Sequence, residues 1–571
     1  MNPSCQTLLL SLTLAATALT NPAVAATRDQ QDTPALTAKE TAEPLRYPFA
    51  NETPAQNETR FAWWREAKFG MFIHWGIYAI PATGEWHMRN TKKSFAEYSR
   101  YAGQFNPVKF DADQWMAIAQ DAGMKYMVIT AKHHDGFAMF DSKASDYNIV
   151  KATPFKRDAL KELSVAAPKH GVKFGVYYSF IADWGNPGGA AGEPHWDPAH
   201  QDGDLDTYID KVAVPQVKEL LENYGPLGEF WFDNDGSKGM TTARANRFFA
   251  PFKAQPQVLI NNRLVTGDFE TQEQHILPQP PLKPWEVCLT LNGGWGYNSW
   301  PTKPLKYLLQ RMVEGWSKGG NVLMNVGPKP DGEFPPESVD RLRSIGAWMR
   351  VNGESVYGST EGPLPCVPWG RTTLKGTTLY LHVFDWPTDG VLNIPVTTPV
   401  KRAYLLANRD QSLTTSTKDG RLLIQLPATA PDPNVSVIAV ELTAVPARIT
   451  SLALNKPVTA DLDGKNAAKA VDNDPGSRWK PGKVDAATLE IDLQAPQSFN
   501  TLRLGSRLQK MKITLEYREG DTWKTACSEV ITKEVDEFVT TFPTVTAQHV
   551  RLRISEAASD ISLTSVELFA P

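Results

Sequence analysis

Between residues 112 and 326 the chain repeats one pattern: apolar residues three or four positions apart, then a glycine, then an unbroken apolar run. Apolar positions at that spacing line one face of a helix, and the glycine ends it. The unbroken run, rich in β-branched and aromatic residues, predicts a strand covered on both faces. Trp115, Ile118 and Ala122 precede Gly123 and the run 126–130, and Leu160, Leu163 and Ala167 precede Gly171 and 173–178. Val217, Leu220 and Leu221 precede Gly225 and 229–233; Leu305, Leu308, Leu309, Met312 and Trp316 precede Gly319-Gly320 and 322–326. With 69–73, 258–261 and 287–291, seven strands are legible, and closure of the sheet requires an eighth. Helices alternating with buried strands predict a (β/α)8 barrel over residues 61–355. An open doubly wound sheet is disfavoured because no dinucleotide glycine fingerprint is present.

Past Gly353 the pattern changes to short strands, at 379–384, 422–426 and 435–442, separated by Pro, Gly and Asp. They predict an all-β sandwich over 356–445. A Pro- and Ala-containing linker near 445 leads to a second β-sandwich, 446–571, with strands at 489–493, 550–554 and 563–569. At the other end, an apolar run from Leu8 to Leu19 followed by Ala23-Val24-Ala25 reads as a signal peptide, 1–25, cut after Ala25. The stretch before it lacks Lys or Arg, but the run is shorter than the about 20 residues that a membrane span needs. A secreted or periplasmic protein without membrane insertion is expected, with residues 26–60 as a flexible leader.

A chain of 571 residues exceeds one hydrophobic core, which agrees with a multidomain reading. Its net charge of −4 offers no positive field for phosphate backbones, so nucleic acid is not an expected partner. Cys5 leaves with the signal peptide, and Cys288, Cys366 and Cys527 are too widely spaced for a disulfide framework or a zinc pattern.

In a barrel of this kind the chemistry sits at the C-terminal ends of the strands. There the chain places His74-Trp75-Gly76, Lys132-His133-His134-Asp135-Gly136-Phe137, Tyr178-Ser179, Asp233, Asn262-Arg263 and Asn325. Adjacent histidines on a strand point to opposite faces and no metal-ligand spacing is present, so neither metal nor other cofactor is expected. Seventeen Trp and sixteen Tyr supply flat faces suited to sugar rings as well as to protein cores. Glycoside hydrolysis needs two carboxyl groups across the scissile bond, one ionised and one protonated. Asp233 fits the ionised role, with Arg263 able to hold it charged if their strands are neighbours; Asp235 fits a loop cap. For the protonated partner, residues 267–273 supply several acids and Glu286 another, and spacing alone does not choose among them.

Lys68-Phe69-Gly70-Met71-Phe72-Ile73-His74-Trp75-Gly76, Gly84-Glu85-Trp86, 132–137, Val176-Tyr177-Tyr178-Ser179, Trp231-Phe232-Asp233, Trp285-Glu286-Val287-Cys288, Trp295-Gly296-Tyr297 and 319–328 together resemble the α-L-fucosidases of glycoside hydrolase family 29. The resemblance covers about residues 60–355. It implies a retaining mechanism without cofactor in which Asp233 is the nucleophile. It places His74, Glu85, Trp86, His133, His134, Tyr178, Trp231 and Arg263 around the sugar, and Trp295 against the C6 methyl of fucose. Glu273 matches the acid/base position of bacterial members, with Glu286 as second choice, and burial is expected to raise its pKa relative to Asp233. The implied substrate is a fucosylated oligosaccharide or glycoconjugate; the rivals are another exo-glycosidase, such as a galactoside-active one, and a carbohydrate-binding protein without activity. The segment Asp472-Asn473-Asp474-Pro475-Gly476-Ser477-Arg478-Trp479 resembles discoidin-like, or F5/8 type C, modules, which implies either attachment to sugar or a spacer packed on the barrel.

Overall fold

The computed structural model describes residues 43–189, 196–197, 199, 203–233, 239–364 and 367–571. The expected signal peptide, Asp235 and Cys366 lie outside them. Order begins earlier than the expected leader allows. Leu45, Tyr47 and Phe49 pack against the core, and Thr53 caps a helix, α1 (Pro54–Ala67), through a capping box with Gln56 and a proline in the first turn. The flexible leader is therefore corrected over 43–60. α1 escapes pattern reading because its buried face includes an arginine, Arg60, alongside Phe61, Trp64 and Ala67.

Every pairing in the main sheet is parallel. Its strands are β1 (Phe69–Ile73), β2 (Tyr126–Lys132), β3 (Lys173–Ser179), β4 (Glu229–Asp233), β5 (Leu259–Ile260), β6 (Glu270–Glu273), β7 (Trp285–Thr290) and β8 (Asn321–Val326), in the order β5-β4-β3-β2-β1-β8-β7-β6. The sheet curls, and its two end strands meet at a single bridge among the described residues, Asn261 with Phe269. The eighth strand is β6, drawn from the segment read above only as a source of acids. The helices end as the pattern predicts: Gly123 and Gly319 adopt φ of 88° and 81°, a region costly to any side chain. One regularity fails, since among the described residues no helix joins β5 to β6 or β6 to β7.

The interior of the curl is a separate apolar cluster in which Phe72, Tyr126, Val128, Tyr177, Trp231, Leu259, Phe269, Cys288 and Leu323 meet Phe61, Trp64 and Ala67 of α1. Asn321, the first residue of β8, donates to the Trp64 carbonyl at 2.9 Å, so α1 plugs the sheet at the N-terminal ends of its strands. From there Arg60 seals the β5–β6 seam. Its guanidinium donates to Val258 O at 3.1 Å and to both carboxylate oxygens of Asp268 at 2.7 and 2.8 Å. Asp268 Oδ2 accepts in turn from Ile260 N at 2.9 Å.

Beyond Ser355 lie sheet-rich regions. A six-stranded and a three-stranded sheet between Thr360 and Leu442 enclose Leu379, Leu381, Ile394, Ile424, Ile438 and Val440. Further on, the long antiparallel strands Ala486–Leu508 and Val535–Ser555 build another six-stranded sheet over Trp479, Leu489, Leu504, Ile513 and Leu568. This last region packs on the end of the helix Leu305–Ser317 and on the preceding six-stranded sheet through buried charge. Glu537 accepts from Arg503 at 2.8 Å, Arg371 at 3.0 Å and Lys318 at 3.3 Å, and Arg503, Lys318 and Arg371 together outweigh burial and hold its carboxyl well below the usual range. Removing one partner from such a cluster strands the other charges, so it fixes a docking geometry.

The seam yields a stability prediction. Arg60→Ala leaves Asp268 buried without its cation and should lower stability by about 3–5 kcal/mol. The double variant Arg60→Ala/Asp268→Ala should lose less than the sum of the single variants, measured by urea unfolding followed by tryptophan fluorescence. Additive losses would refute the pairing as the source of the effect.

Candidate active site

Asp233 ends β4, and strand register decides which neighbours face it. Trp231 and Asp233, two apart, share one face of the strand. In β3 their register partners are Tyr177 and Ser179. Tyr177 therefore points inward and donates its hydroxyl to Asp233 Oδ2 at 2.6 Å. Tyr178, expected in the site, points the other way and donates to Gln216 Oε1 at 2.7 Å among the outer helices. That expectation is corrected: the motif contains the site tyrosine, but period 2 selects its first tyrosine rather than its second.

Arg263, in the turn after β5, donates through Nη1 to Asp233 Oδ1 at 2.9 Å, through Nη2 to Glu273 Oε2 at 3.1 Å and through Nε to Thr271 Oγ1 at 3.0 Å. It lies over Trp231 with 4.9 Å to the ring centroid. One guanidinium thus holds the ends of β4 and β6 together. Burial raises the pKa of Asp233, but Arg263, His134, the Tyr177 hydroxyl and His74 outweigh it and hold the carboxyl below its ordinary value. Glu273 is more open: its side chain is 42% exposed against 16% for Asp233. The expectation that burial sets Glu273 apart from Asp233 is therefore corrected, because the buried member of the pair is Asp233.

Three imidazoles form the wall beside Asp233. His74 Nδ1 lies 2.7 Å from Asn325 Oδ1. Asn325 donates its amide to Trp295 O at 2.7 Å, so its oxygen faces the ring and His74 is the donor there, leaving Nε2 as an acceptor. Burial pushes the His74 pKa down to about 4, so this histidine is neutral at ordinary pH. Ser179 donates its hydroxyl to Ala182 O at 2.6 Å and is left to accept from His134 Nδ1 at 2.6 Å; His134 Nε2 lies 3.7 Å from Asp233 Oδ2. His133 stacks on Tyr177 with centroids 5.5 Å apart, and burial, with the two neighbouring histidines, lowers its pKa strongly. Among the described residues no group of three or more His, Cys, Asp and Glu is arranged to hold a metal.

Glu85 and Trp86 adjoin this wall. Glu85 Oε2 accepts from Gly296 N at 2.7 Å, and burial raises its pKa. It thereby fixes the turn that carries Trp295, whose ring centroid lies 5.1 Å from that of His74. Trp86 lies 5.3 Å from both His134 and Trp184. Trp184 went unnoticed in the sequence because it sits in the long loop after β3, outside any periodic segment. Glu286 is elsewhere. It is the second residue of β7, at the N-terminal end of the strands, where it accepts from the Tyr126 hydroxyl and burial pushes its pKa up to about 8. Glu286 pairs in register with Thr271, two residues before Glu273, so it lies about 7 Å below the Glu273 level at roughly 3.3 Å per residue.

The register argument is testable without turnover. Tyr177→Phe removes a hydrogen bond to the charged carboxylate and should raise the Asp233 pKa, whereas Tyr178→Phe should leave it in place, as read by carbon-13 NMR of labelled aspartate. An unchanged Asp233 titration in Tyr177→Phe would refute the contact.

Comparison with known proteins identifies the family. Residues 35–354 match the family model "Alpha-L-fucosidase" and residues 456–567 match "F5/8 type C domain". The solved α-L-fucosidase isoenzyme 1 from Paenibacillus thiaminolyticus is 39% identical, with TM-score 0.63, covering 68% of this chain and 99% of that one. A family 29 α-L-fucosidase from Bacteroides thetaiotaomicron, solved as a trapped covalent intermediate with 2-fluoro-fucosyl fluoride, is 29% identical with TM-score 0.63, over 70% of this chain and 100% of that one. The tissue α-L-fucosidase of Homo sapiens is 29% identical over 412 residues, 65% of this chain and 86% of the relative. The chain belongs to the α-L-fucosidase family, glycoside hydrolase family 29, and carries a C-terminal F5/8 type C domain.

Proposed function

We propose that this chain is a retaining exo-α-L-fucosidase that releases terminal α-L-fucose from oligosaccharides or glycoconjugates, with Asp233 as nucleophile and Glu273 as acid/base. The observation that carries the reading is the pair of carboxyl groups held across the single guanidinium of Arg263. Two carboxyl oxygens held 2.9 and 3.1 Å from the two Nη atoms of one guanidinium stand close together, which favours the about 5 Å arrangement used for retention. The fold reading that goes with it is a (β/α)8 barrel, 61–355, closed at the β5–β6 seam and followed by β-sandwiches at 356–445 and 446–571.

In the first step Asp233 attacks the anomeric carbon as Glu273 gives its proton to the leaving oxygen. In the second, Glu273 takes a proton from water, which attacks the same carbon and frees Asp233. The depressed pKa of Asp233 keeps the nucleophile ionised at neutral pH, and the Tyr177 hydroxyl orients the oxygen that it touches. Neutral His74 presents an acceptor, and the three-imidazole wall with Glu85 offers partners for sugar hydroxyls. Trp295 supplies an apolar face for the methyl that distinguishes a 6-deoxy sugar. A pocket of this kind separates substrates by an added hydroxyl only about 100-fold. The trapped covalent intermediate of the Bacteroides relative supports retention by likeness. Glu286 is set aside as the acid because it lies buried below the site.

Asp233→Gly should lower kcat on the order of 10⁴-fold or more, with azide restoring part of the turnover and giving the product of inverted configuration. Glu273→Ala should slow a fucoside with a sugar leaving group by 10²-fold or more and a dinitrophenyl fucoside far less. Equal losses on the two substrates would remove Glu273 from the acid role, and a nitrophenyl panel showing galactoside cleaved but fucoside untouched would overturn the substrate.

A further inference from the structure

Glu273 is held by little of the sheet itself. It is the last residue of the four-residue β6, paired with Cys288 of β7 on one side. On the other side β6 meets β5 at the one bridge Asn261–Phe269. The next residue, Gln274, has φ of 58°, a left-handed conformation that a non-glycine residue holds only when its surroundings enforce it. As after β5, no helix follows β6 before β7 among the described residues.

The segment is fastened from two directions: by β7, where Gln274 N donates to Cys288 O at 3.0 Å and Gln274 Nε2 to Thr290 Oγ1 at 2.9 Å, and by the C-terminal domain. Asp536, at the start of Val535–Ser555, accepts from His275 Nδ1 at 2.7 Å, from Ile276 N at 3.3 Å and from Arg311 Nη2 at 2.9 Å. Arg311, on the helix Leu305–Ser317, also donates to Gln274 O at 3.2 Å. One carboxylate and one guanidinium thus fix the carbonyl of 274, the ring of 275 and the amide of 276, the three positions that follow the acid/base. Burial opposes the charge on Asp536, but His275 and Arg311 prevail and hold its carboxyl below the usual value.

Docking of the domain as such rests on other groups, among them Arg503 on Pro278 O, Glu567 on Gln279 and the neighbouring residue. Glu537 pairs with Arg503, Lys318 and Arg371. Asp536 instead makes its contacts to the turn after Glu273 and to the arginine that braces it.

We propose that Asp536 of the C-terminal domain is a positioning residue for catalysis: by clamping residues 274–276 it aims the Glu273 carboxyl at the leaving-group oxygen. The inference rests on the acid/base reading of Glu273. It assigns the C-terminal domain a part in proton transfer that is separate from any binding of sugar by its own loops.

The test uses full-length variants and two fucosides, one with a sugar leaving group that needs a proton and one with a dinitrophenolate that does not. Asp536→Ala should lower kcat about tenfold or more on the first and less than about twofold on the second, because misplacement by about 1 Å is enough to cost this much. Asp536→Glu should recover part of the loss. His275→Gln cuts the same link from the barrel side and should show the same leaving-group dependence, so a folding failure of Asp536→Ala does not shield the proposal. Arg371→Met weakens the adjacent Glu537 cluster without touching 274–276 and should slow neither substrate selectively. Equal losses on both substrates, or no loss, in Asp536→Ala and His275→Gln while Glu273→Ala keeps its leaving-group dependence would overturn the role of Asp536 alone. Loss of that dependence in Glu273→Ala itself would overturn both readings together.

Discussion

The three contacts of Arg263 are the interaction on which the candidate site depends. Asp233 and Glu273 stand on β4 and β6, which do not touch: β5 lies between them, only two residues long and joined to β6 by one bridge. Backbone pairing alone leaves their spacing loosely set. Arg263 sets it with side-chain geometry, since a planar guanidinium fixes both hydrogen-bond directions at once and loses its charge at no accessible pH. The same cation keeps Asp233 ionised, so spacing and protonation state are coupled through one group. A lysine there would hold a charge but not a distance.

A weak seam needs support above and below, and the chain provides it from distant segments. Arg60 of α1 reaches Asp268 at the floor, Arg263 spans the top, and Asp536 braces the turn beyond Glu273 from more than two hundred residues away. Each support is a charge-assisted contact rather than an apolar one. Apolar packing tolerates sliding, whereas a carboxylate with several donors has few arrangements that satisfy it, and an unsatisfied one costs several kcal/mol when buried.

How much of this was legible in the sequence follows from the range over which each signal acts. Strands such as 126–132, 173–179 and 321–326 were readable because parallel strands covered on both faces are apolar throughout. β6 was not. Its residues Glu270, Thr271, Gln272 and Glu273 carry contacts to Arg263 and to the following loop, so the strand looks polar and only the count of eight demanded it. α1 hid for a related reason, because the buried arginine that seals the seam breaks its apolar face. Tyr177 and Tyr178 show a limit of a third kind: the motif located the pair, but choosing between them needed the register with Trp231 and Asp233, a relation between strands that period 2 carries only once the pairing is known.

The absent helices after β5 and β6 and the docked C-terminal domain belong to one arrangement. In a regular β/α unit the helix that follows a strand covers its outer face and fixes where the strand ends. Where that helix is missing, the strand end is free to bend, as the left-handed Gln274 does while its N–H still pairs with Cys288 O of β7, and the carboxylate before the bend gains exposure. Exposure suits the acid/base role proposed for Glu273, which requires it to meet the leaving group and then water, but it sacrifices the packing that would otherwise aim the side chain. A cover supplied from another domain resolves the conflict, since it grips the backbone after Glu273 and leaves the carboxyl itself uncovered. The buried charges between barrel and C-terminal domain then make sense as a device for registry: a spacer would need only apolar contact, whereas a clamp on three successive residues has to arrive in one orientation.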